Sequence, residues 1–211
     1  MGLEAQPSAK GMHVEAVPGD ENPEGWDEDL AEPSRWHPNL RVIPSARNVS
    51  NREADRADHA ELRLKISLIG LSADVVVIDC PNRQGGPLTL SALNAADTVV
   101  YAATATSDGI DGVDGARRTV AQFRRHRQQL GAPDTFTEAG IVVGGVKETI
   151  MSRAAVASLE ELRATGLFLE PLIPDRAIVQ EVRISGEWYG QYRKGARVLD
   201  AYTAIAKKVL R

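Results

Sequence analysis

The sequence has a single cysteine among its 211 residues, and only 5% of the residues are aromatic. One cysteine cannot form an intramolecular disulfide, which excludes the disulfide-stapled secreted domains. No apolar run reaches the roughly 18 residues that span a bilayer, and residues 1–10 lack the pattern of a secretory signal. These absences predict a cytoplasmic protein without a membrane segment. Its core must consist mainly of Val, Ile, Leu and Ala.

Charge is divided unevenly along the chain, whose net charge is −4. Residues 1–34 carry nine acidic side chains and one basic one, so the remainder has a net charge of +4. Five of the eleven prolines lie in residues 1–38. We therefore predict an acidic, Pro- and Gly-rich flexible segment over residues 1–38 and one folded domain over residues 39–211. A mildly basic domain can contact phosphate backbones, although exposed Lys and Arg can also merely solvate helix faces.

From residue 40 onwards, strand-like and helix-like patterns alternate. Strands are predicted at residues 40–43, 75–78, 98–101 and 141–143, and helices at residues 52–70, 88–94, 109–130, 152–165, 176–184 and 195–210. A short apolar run at residues 167–169 precedes a proline-containing loop. The run 75–78 is entirely β-branched, which predicts a central strand covered on both faces. The alternation predicts an α/β fold with a doubly wound, mostly parallel sheet and helices on both faces.

A carboxylate follows the run 75–78 directly. Asp79 would lie at the carboxyl edge of a parallel sheet, where open α/β folds bind their ligands. A carboxylate there can hold Mg²⁺, directly or through water. The glycine-containing loop that follows can change shape as a phosphate binds or leaves. The alternative is that Asp79 only caps the next turn, and Cys80 is expected to be buried at the strand end.

Two longer segments resemble the ParA-type partition ATPases. Residues 74–97 (DVVVIDCPNRQGGPLTLSALNAAD) are similar to the family's strand, Asp-x-Pro-Pro loop and Ala-Ala-Asp sequence. Residues 172–187 resemble its Ile-Pro-Arg loop, with Glu181 at the later Glu of the family. Asn82 replaces the second proline, and Asp175 stands where the family usually has Arg. The resemblance covers about residues 38–211.

The resemblance implies a P-loop NTPase fold and an ATP hydrolase that acts in plasmid or chromosome partitioning. It implies ATP and Mg²⁺ as ligands, a homodimer with nucleotide between its subunits, non-specific binding to nucleoid DNA and a ParB-like centromere-binding partner. The implied site residues are Asp79 for catalysis and Mg²⁺, Pro81, Asn82, Gly85 and Gly86 for the switch loop, and Pro174, Asp175, Arg176 and Glu181 for nucleotide binding.

The phosphate-binding loop of these enzymes is missing from the sequence. No segment matches Gly-x-x-x-x-Gly-Lys-Ser/Thr, whose backbone amides cradle phosphates. Residues 144–149 follow a predicted strand but lack the Gly-Lys-Ser/Thr ending. Residues 1–4 resemble those after the family's second strand, so we expect the N-terminal strand–loop–helix–strand to be absent, through a missed start or a truncation. The chain alone should then bind ATP poorly, be deficient in hydrolysis and expose apolar sheet edges.

Two basic groups are candidates for contact with DNA phosphates. They are Arg117, Arg118, Arg124 and Arg125 on the helix 109–130, and Arg193, Lys194 and Arg197 near the start of the last helix. A non-enzymatic remnant that binds DNA or a partner through these residues is one alternative function. A MinD-like regulator at the membrane is another, which needs an amphipathic membrane helix at the C-terminus. The last helix has only a modest apolar face.

Overall fold

The computed structural model describes residues 26–44, 54, 57–80 and 85–210. The chain divides into two compact units, residues 1–96 and residues 97–211. The first unit contains α1 (Trp26–Leu30), β1 (Glu32–Pro33), β2 (Arg41–Val42), a 3₁₀ turn (Ala60–Leu62), α2 (Arg63–Ser67) and α3 (Pro87–Ala95). The predicted domain boundary at residues 38/39 stays a prediction, because residues 1–25 of the proposed flexible segment lie outside the described residues.

In the first unit, α1 is tied down by its acidic side chains. Asp27 is buried and accepts a hydrogen bond of 2.8 Å from the Ser67 hydroxyl of α2. Burial raises the pKa of Asp27, although the Ser67 hydrogen bond acts in the opposite direction. Glu28 accepts hydrogen bonds from Arg41 of β2 and from the Ser72 hydroxyl. These contacts connect α1 to α2 and to β2.

The predicted central strand at residues 75–78 is wrong. Residues 75–80 form neither strand nor helix, and Val77 is 86% exposed. A β-strand is completed by hydrogen bonds to neighbouring strands, so a β-branched run supplies the propensity but not the partner. Within the described ranges, no strand pairs with these residues. Cys80, expected to be buried, is exposed for the same reason.

Two further predictions for the first unit were only partly confirmed. The predicted strand 40–43 is reduced to β2, which pairs antiparallel with β1, Glu32 opposite Val42. Of the predicted helix 52–70, the turn 60–62 and α2 are helical, whereas residues 57–59 and 68–70 are turns or bends. The predicted helix 88–94 is confirmed as α3, which begins at Pro87 directly after Gly86. Proline suits this first helical position because its missing N–H would have no helical partner there.

The second unit contains an α/β sheet. Its elements are β3 (Thr98–Thr104), α4 (Ser107–Gln129), β4 (Thr137–Gly144), α5 (Arg153–Ala164), β5 (Phe168–Leu169), α6 (Ala177–Ser185), two 3₁₀ turns (Tyr189–Gln191 and Arg193–Gly195) and α7 (Ala196–Val209). The strand order is β3-β4-β5, and both strand pairs are parallel. The strands β3 and β4 and the helices α4 to α7 were predicted, with boundaries shifted by a few residues. The short apolar run at residues 167–169 contains β5, which was not predicted as a strand.

Helices cover both faces of this sheet, as predicted. Ile141 pairs with Phe168, and Val142 pairs with Leu169. The Phe168 ring faces α5, where the Arg163 guanidinium lies 4.9 Å from its centroid. Val142 and Leu169 pack instead against the cluster built by α6 and α7. Because successive side chains of a strand point to opposite faces, α5 and the α6–α7 pair lie on opposite sides.

A glycine allows β4 and β5 to approach closely. The register between β3 and β4 shifts where Val99 pairs with Glu138 and Val100 with Gly140. At this bulge Gly140 has φ +144°, and an added Cβ would lie 2.6 Å from both the Leu167 carbonyl oxygen and a side-chain carbon of Leu169. An L side chain is disfavoured here by conformation and by space.

The other edge of β3 is unpaired by any strand of the described residues. Its seven residues, Thr98–Thr104, include no charged residue and no proline. Sheet edges that must stay free are normally protected by such residues or by a covering element. β3 therefore has the sequence of an interior strand of a parallel sheet.

Candidate functional site

The carboxyl edge of β4 is extended by a second segment that runs beside it. The Ile173 amide donates to the Val143 carbonyl (2.9 Å), and the Val146 amide donates to the Ile173 carbonyl (3.1 Å). The Asp175 amide then donates to the Val146 carbonyl (2.8 Å), and Val146 and Pro174 form a parallel bridge. This ladder fixes the loop after β4 against the segment before α6. It places both at the edge where open α/β sheets bind ligands.

Glu148 connects three parts of this edge. Its Oε1 accepts a hydrogen bond of 2.9 Å from Arg197 of α7, and its Oε2 accepts one from Arg176, which precedes α6. Each carboxylate oxygen therefore holds a different guanidinium. Sequence reasoning missed Glu148 as a site residue, although its position just beyond a buried parallel strand was a usable signal.

The predicted nucleotide-binding residues occupy the same edge, with one exception. Pro174 is buried in the bridge to Val146, Asp175 is exposed, and Arg176 is half-buried beside Glu148. Glu181 lies one to two turns into α6 and is exposed. The structure thus brings Pro174, Asp175 and Arg176 together, while Glu181 belongs to the helix behind them. Their role in nucleotide binding stays a prediction.

In the loop that begins with Gly144 and Gly145 at the end of β4, one of the backbone amides is not available to a phosphate. A cradle needs backbone amides that are free to point at the phosphate. The Val146 amide is already bonded to Ile173, and the Val146 side chain is buried. This agrees with the sequence, in which Gly144 to Thr149 lack the Gly-Lys-Ser/Thr ending.

The carboxyl end of β3 leads tightly into α4. Thr106 caps the helix by accepting a hydrogen bond of 3.1 Å from the Gly109 amide. A Cβ on Gly109 would lie 2.2 Å from the Thr104 carbonyl oxygen, so only glycine permits this approach. The sequence thus fixes where α4 begins relative to the sheet edge.

The predicted metal and switch residues lie in the first unit. Asp79 is exposed, and Gly85 and Gly86 have φ +83° and +93°, conformations that favour glycine. Pro81 and Asn82 lie outside the described residues. Desolvation of its sulfur and the charge of Asp79 raise the pKa of the Cys80 thiol, which does not suit a nucleophilic cysteine. No group of three His, Cys, Asp or Glu side chains is placed to hold a metal within the described ranges.

Two of the predicted DNA-binding arginines of α4 contact the sheet instead of facing solvent freely. Glu138 of β4 accepts a hydrogen bond of 3.1 Å from Arg124, and Arg117 lies 3.9 Å from its other oxygen. Arg124 also donates to the Phe136 carbonyl and lies 3.3 Å from Asp134. The helical periodicity showed a basic stripe, but the partner carboxylate comes from another element.

The remaining predicted basic residues are exposed. Arg118 and Arg125 lie on the outer side of α4, and Arg193 and Lys194 lie in the turn before α7. Arg197 is also exposed despite its ion pair with Glu148. DNA contact by any of them stays a prediction.

Tyr101 completes the cluster around Glu138. Its hydroxyl donates a hydrogen bond of 2.8 Å to the Glu138 carboxylate. Burial, followed by this hydrogen bond, raises the pKa of Tyr101 well above its usual range. The folded state therefore retains a proton that the unfolded state releases near about pH 10.

We expect Tyr101→Phe to weaken the loss of stability at alkaline pH. The contribution of a raised pKa is complete below the unfolded value and declines as the pH rises above it. Urea unfolding midpoints measured between about pH 9 and pH 11 should fall steeply for the wild type and less steeply for the variant. Tyr202→Phe, at an exposed position of α7, is the matched control. Equal slopes for all three proteins would contradict the assignment.

The apolar face of α7 is already occupied. Val198, Ala201 and Ile205 are buried in the cluster with Ile173, Ile178 and Val182. A MinD-like membrane helix would need this face to be free for lipid. In the portion that the structure describes, no helix has the length and apolarity required to cross a bilayer.

Comparisons with known proteins support the resemblance found in the sequence and the α/β fold of the structure. No protein-family model matches the chain. The chain is 24% identical over 180 residues to the sporulation initiation inhibitor protein Soj of Bacillus subtilis, covering 81% of this chain and 67% of Soj. It is 28% identical over 183 residues to the chromosome partitioning protein ParA of Myxococcus xanthus, covering 82% of this chain and 60% of that protein.

Solved structures share the fold. An ATP complex of a Cyanothece McdA variant matches 89% of this chain and 71% of its own, with a TM-score of 0.69 and 19% identity. Cobyrinic acid a,c-diamide synthase of Mycobacterium smegmatis, with a bound ATP analogue and magnesium, matches 90% of this chain and 66% of its own, with a TM-score of 0.62 and 24% identity. At these identities the structural likeness establishes the α/β fold alone. The sequence matches show that the chain is similar to the partitioning proteins Soj and ParA over about four fifths of its length.

Proposed function

We propose that this chain acts in plasmid or chromosome partitioning as part of a ParA-type ATPase. The observation that carries the proposal is the carboxyl edge of the parallel sheet. There Pro174, Asp175 and Arg176 are fixed beside the loop that follows β4. This is the edge at which α/β folds bind nucleotides. The similar proteins support the proposal, because one is a chromosome partitioning protein and another was solved as an ATP complex.

The residues of this sequence do not by themselves make a complete site for ATP and Mg²⁺. Asp79 offers one exposed carboxylate, and the sequence has no Gly-x-x-x-x-Gly-Lys-Ser/Thr loop to hold the phosphates. A single carboxylate cannot replace the backbone amides and the positive charge that such a site needs. We therefore propose that this chain supplies the Mg²⁺ carboxylate and the base-side loop. The phosphate cradle must come from residues outside this sequence.

The test joins the N-terminal strand–loop–helix–strand of Bacillus subtilis Soj to this chain. The chain alone should show no measurable ATP hydrolysis, whereas the joined protein should bind ATP·Mg²⁺ and hydrolyse it. Isothermal titration and phosphate release measure the two steps, and circular dichroism confirms that both proteins are folded. If the two parts do not fold when joined, the Soj segment is added as a separate polypeptide. Folded protein that binds no ATP in either form contradicts the proposal, as does hydrolysis by the chain alone.

The further elements of the proposal follow the same family. A homodimer with nucleotide between its subunits would bind nucleoid DNA non-specifically, and a ParB-like centromere-binding protein would stimulate hydrolysis. The exposed basic residues at the start of α7 support the DNA-binding element. They also favour a second candidate, a non-enzymatic DNA-binding remnant. Because these residues are exposed in the chain without nucleotide, such a remnant could bind DNA without ATP. DNA retention that requires ATP in the joined protein would exclude that second candidate.

A further inference from the structure

We propose that the basic start of α7, defined as Arg193, Lys194 and Arg197, contacts DNA phosphates. Glu148 limits this contact because it holds Arg197 in an ion pair. The inference rests on the DNA-binding element of the proposed function. It assigns Glu148 a role that the resemblance to partition ATPases does not supply.

The alternative basic surface, on α4, is weaker than its sequence indicates. Arg117 and Arg124 are engaged with Glu138, and Arg124 is also close to Asp134. Only Arg118 and Arg125 of the predicted four are exposed there. The first half of the same helix carries exposed acidic residues, namely Asp108, Asp111 and Asp114. Negative charge along the same helix opposes the approach of a phosphate backbone.

The start of α7 differs in that its residues point to solvent. Arg193 and Lys194 are exposed, and 71% of the Arg197 side chain is accessible. Lys147, in the loop after β4, is also exposed, adjacent in the chain to Glu148. Basic residues grouped in this way suit sequence-independent contact with phosphates.

Among the described residues, Glu148 is the one carboxylate that contacts the basic start of α7. It is half as accessible as Arg197, with 35% of its side chain exposed, and its second oxygen is held by Arg176. An ion pair as exposed as Glu148–Arg197 is weak, and a phosphate accepts two parallel hydrogen bonds from one guanidinium. DNA can therefore take Arg197 while Arg176 keeps Glu148 in place. Glu148 competes with DNA for this one arginine.

The test compares Glu148→Gln with Glu170→Gln. Glu170 forms an equally short ion pair, 2.9 Å from Arg163, so both variants remove one negative charge from the same unit. The probe is a fluorescent DNA duplex of mixed sequence, titrated over a series of salt concentrations. Each titration is made with the chain alone and with the joined protein in the presence of ATP and Mg²⁺. For Glu148→Gln we expect tighter binding by a few-fold at low salt. The slope of log K against log[salt] should steepen by up to about 0.9, because at most one further phosphate is neutralised when Arg197 is fully released.

The controls separate a released arginine from a general change of charge. Glu170→Gln should leave the slope unchanged, and the double variant Glu148→Gln/Arg197→Gln should lose the gain. Equal effects of Glu148→Gln and Glu170→Gln, or a gain that persists without Arg197, would overturn the inference while leaving DNA binding intact. If folded wild type and Glu148→Gln both fail to bind the duplex, the DNA-binding element of the proposed function fails, and this inference fails with it.

Discussion

Asp79→Asn, made in the joined protein that carries the Soj segment, is expected to lower kcat for ATP by on the order of 100-fold, as when one group that stabilises transition-state charge is removed. The substitution keeps the size of the side chain and removes the negative charge that would hold Mg²⁺. Asp79 is exposed and contributes nothing to the core, so thermal stability should not change. Phosphate release at saturating ATP and Mg²⁺ measures the effect.

The control for this prediction is Asp74→Asn. Asp74 is also exposed, lies five residues earlier in the chain and should not alter turnover. Turnover that is unchanged in Asp79→Asn would remove this carboxylate from the reaction. A loss of equal size in both variants would show instead that the segment tolerates no loss of charge.

Gly140→Ala is expected to lower the free energy of unfolding by about 3 kcal/mol or more, the sum of backbone strain and overpacking. Gly140 has a positive φ, and its Cβ would lie 2.6 Å from the Leu167 carbonyl and the Leu169 side chain. Relief requires β5 to move away from β4, because the backbone of Leu167 already bonds to Ile141 at 2.7 Å. Urea unfolding monitored by circular dichroism measures the change.

Gly144→Ala is the matched substitution at the other end of the same strand. Its Cβ would meet only the Ile173 Cβ at 3.9 Å, an ordinary contact. We expect a change of less than about 1 kcal/mol there, as for a mild surface substitution. Similar losses at the two positions would mean that β4 tolerates no added methyl group anywhere. The close approach at the bulge would then not explain the loss of stability at Gly140.

The second unit was predictable from sequence because its elements carry their own local signals. The helix α4 shows a regular apolar spacing and ends before the Gly131-Ala132-Pro133 sequence, and β4 contains the buried run Ile141 to Val143. The bulge at Gly140 was not predicted. There Gly140 lies against Leu167 and Leu169, which are close to it in space and distant in sequence.

The failure at residues 75–78 has a different cause. Three valines and an isoleucine favour an extended backbone, but the hydrogen bonds of a strand are made entirely with its neighbours. A single-sequence pattern contains no information about whether those neighbours are present. The same reasoning explains why Cys80 was expected to be buried and is exposed.

Sequence reasoning identified some residues of the candidate site and missed the carboxylates that contact its arginines. Pro174, Asp175 and Arg176 were singled out by the resemblance of residues 172–187 to the partition ATPases. The carboxylates that engage the arginines do not follow from it. Glu138 lies 14 residues from Arg124, and Glu148 lies 49 residues from Arg197. Helical periodicity identifies an exposed stripe on one element, and only the tertiary structure shows what another element places against it.

The uncharged edge of β3 has a consequence for how this polypeptide behaves in a cell. Among the described residues, no strand pairs with the outer edge of these seven residues. An edge without a repelling side chain can recruit an extended segment nearby, including the same strand of a second molecule newly released from the ribosome. Yield of monomeric material should therefore depend on synthesis rate and on chaperone supply more than on the intrinsic stability of the helices. Expression at low temperature, at a low rate of synthesis, suits a polypeptide with such an edge.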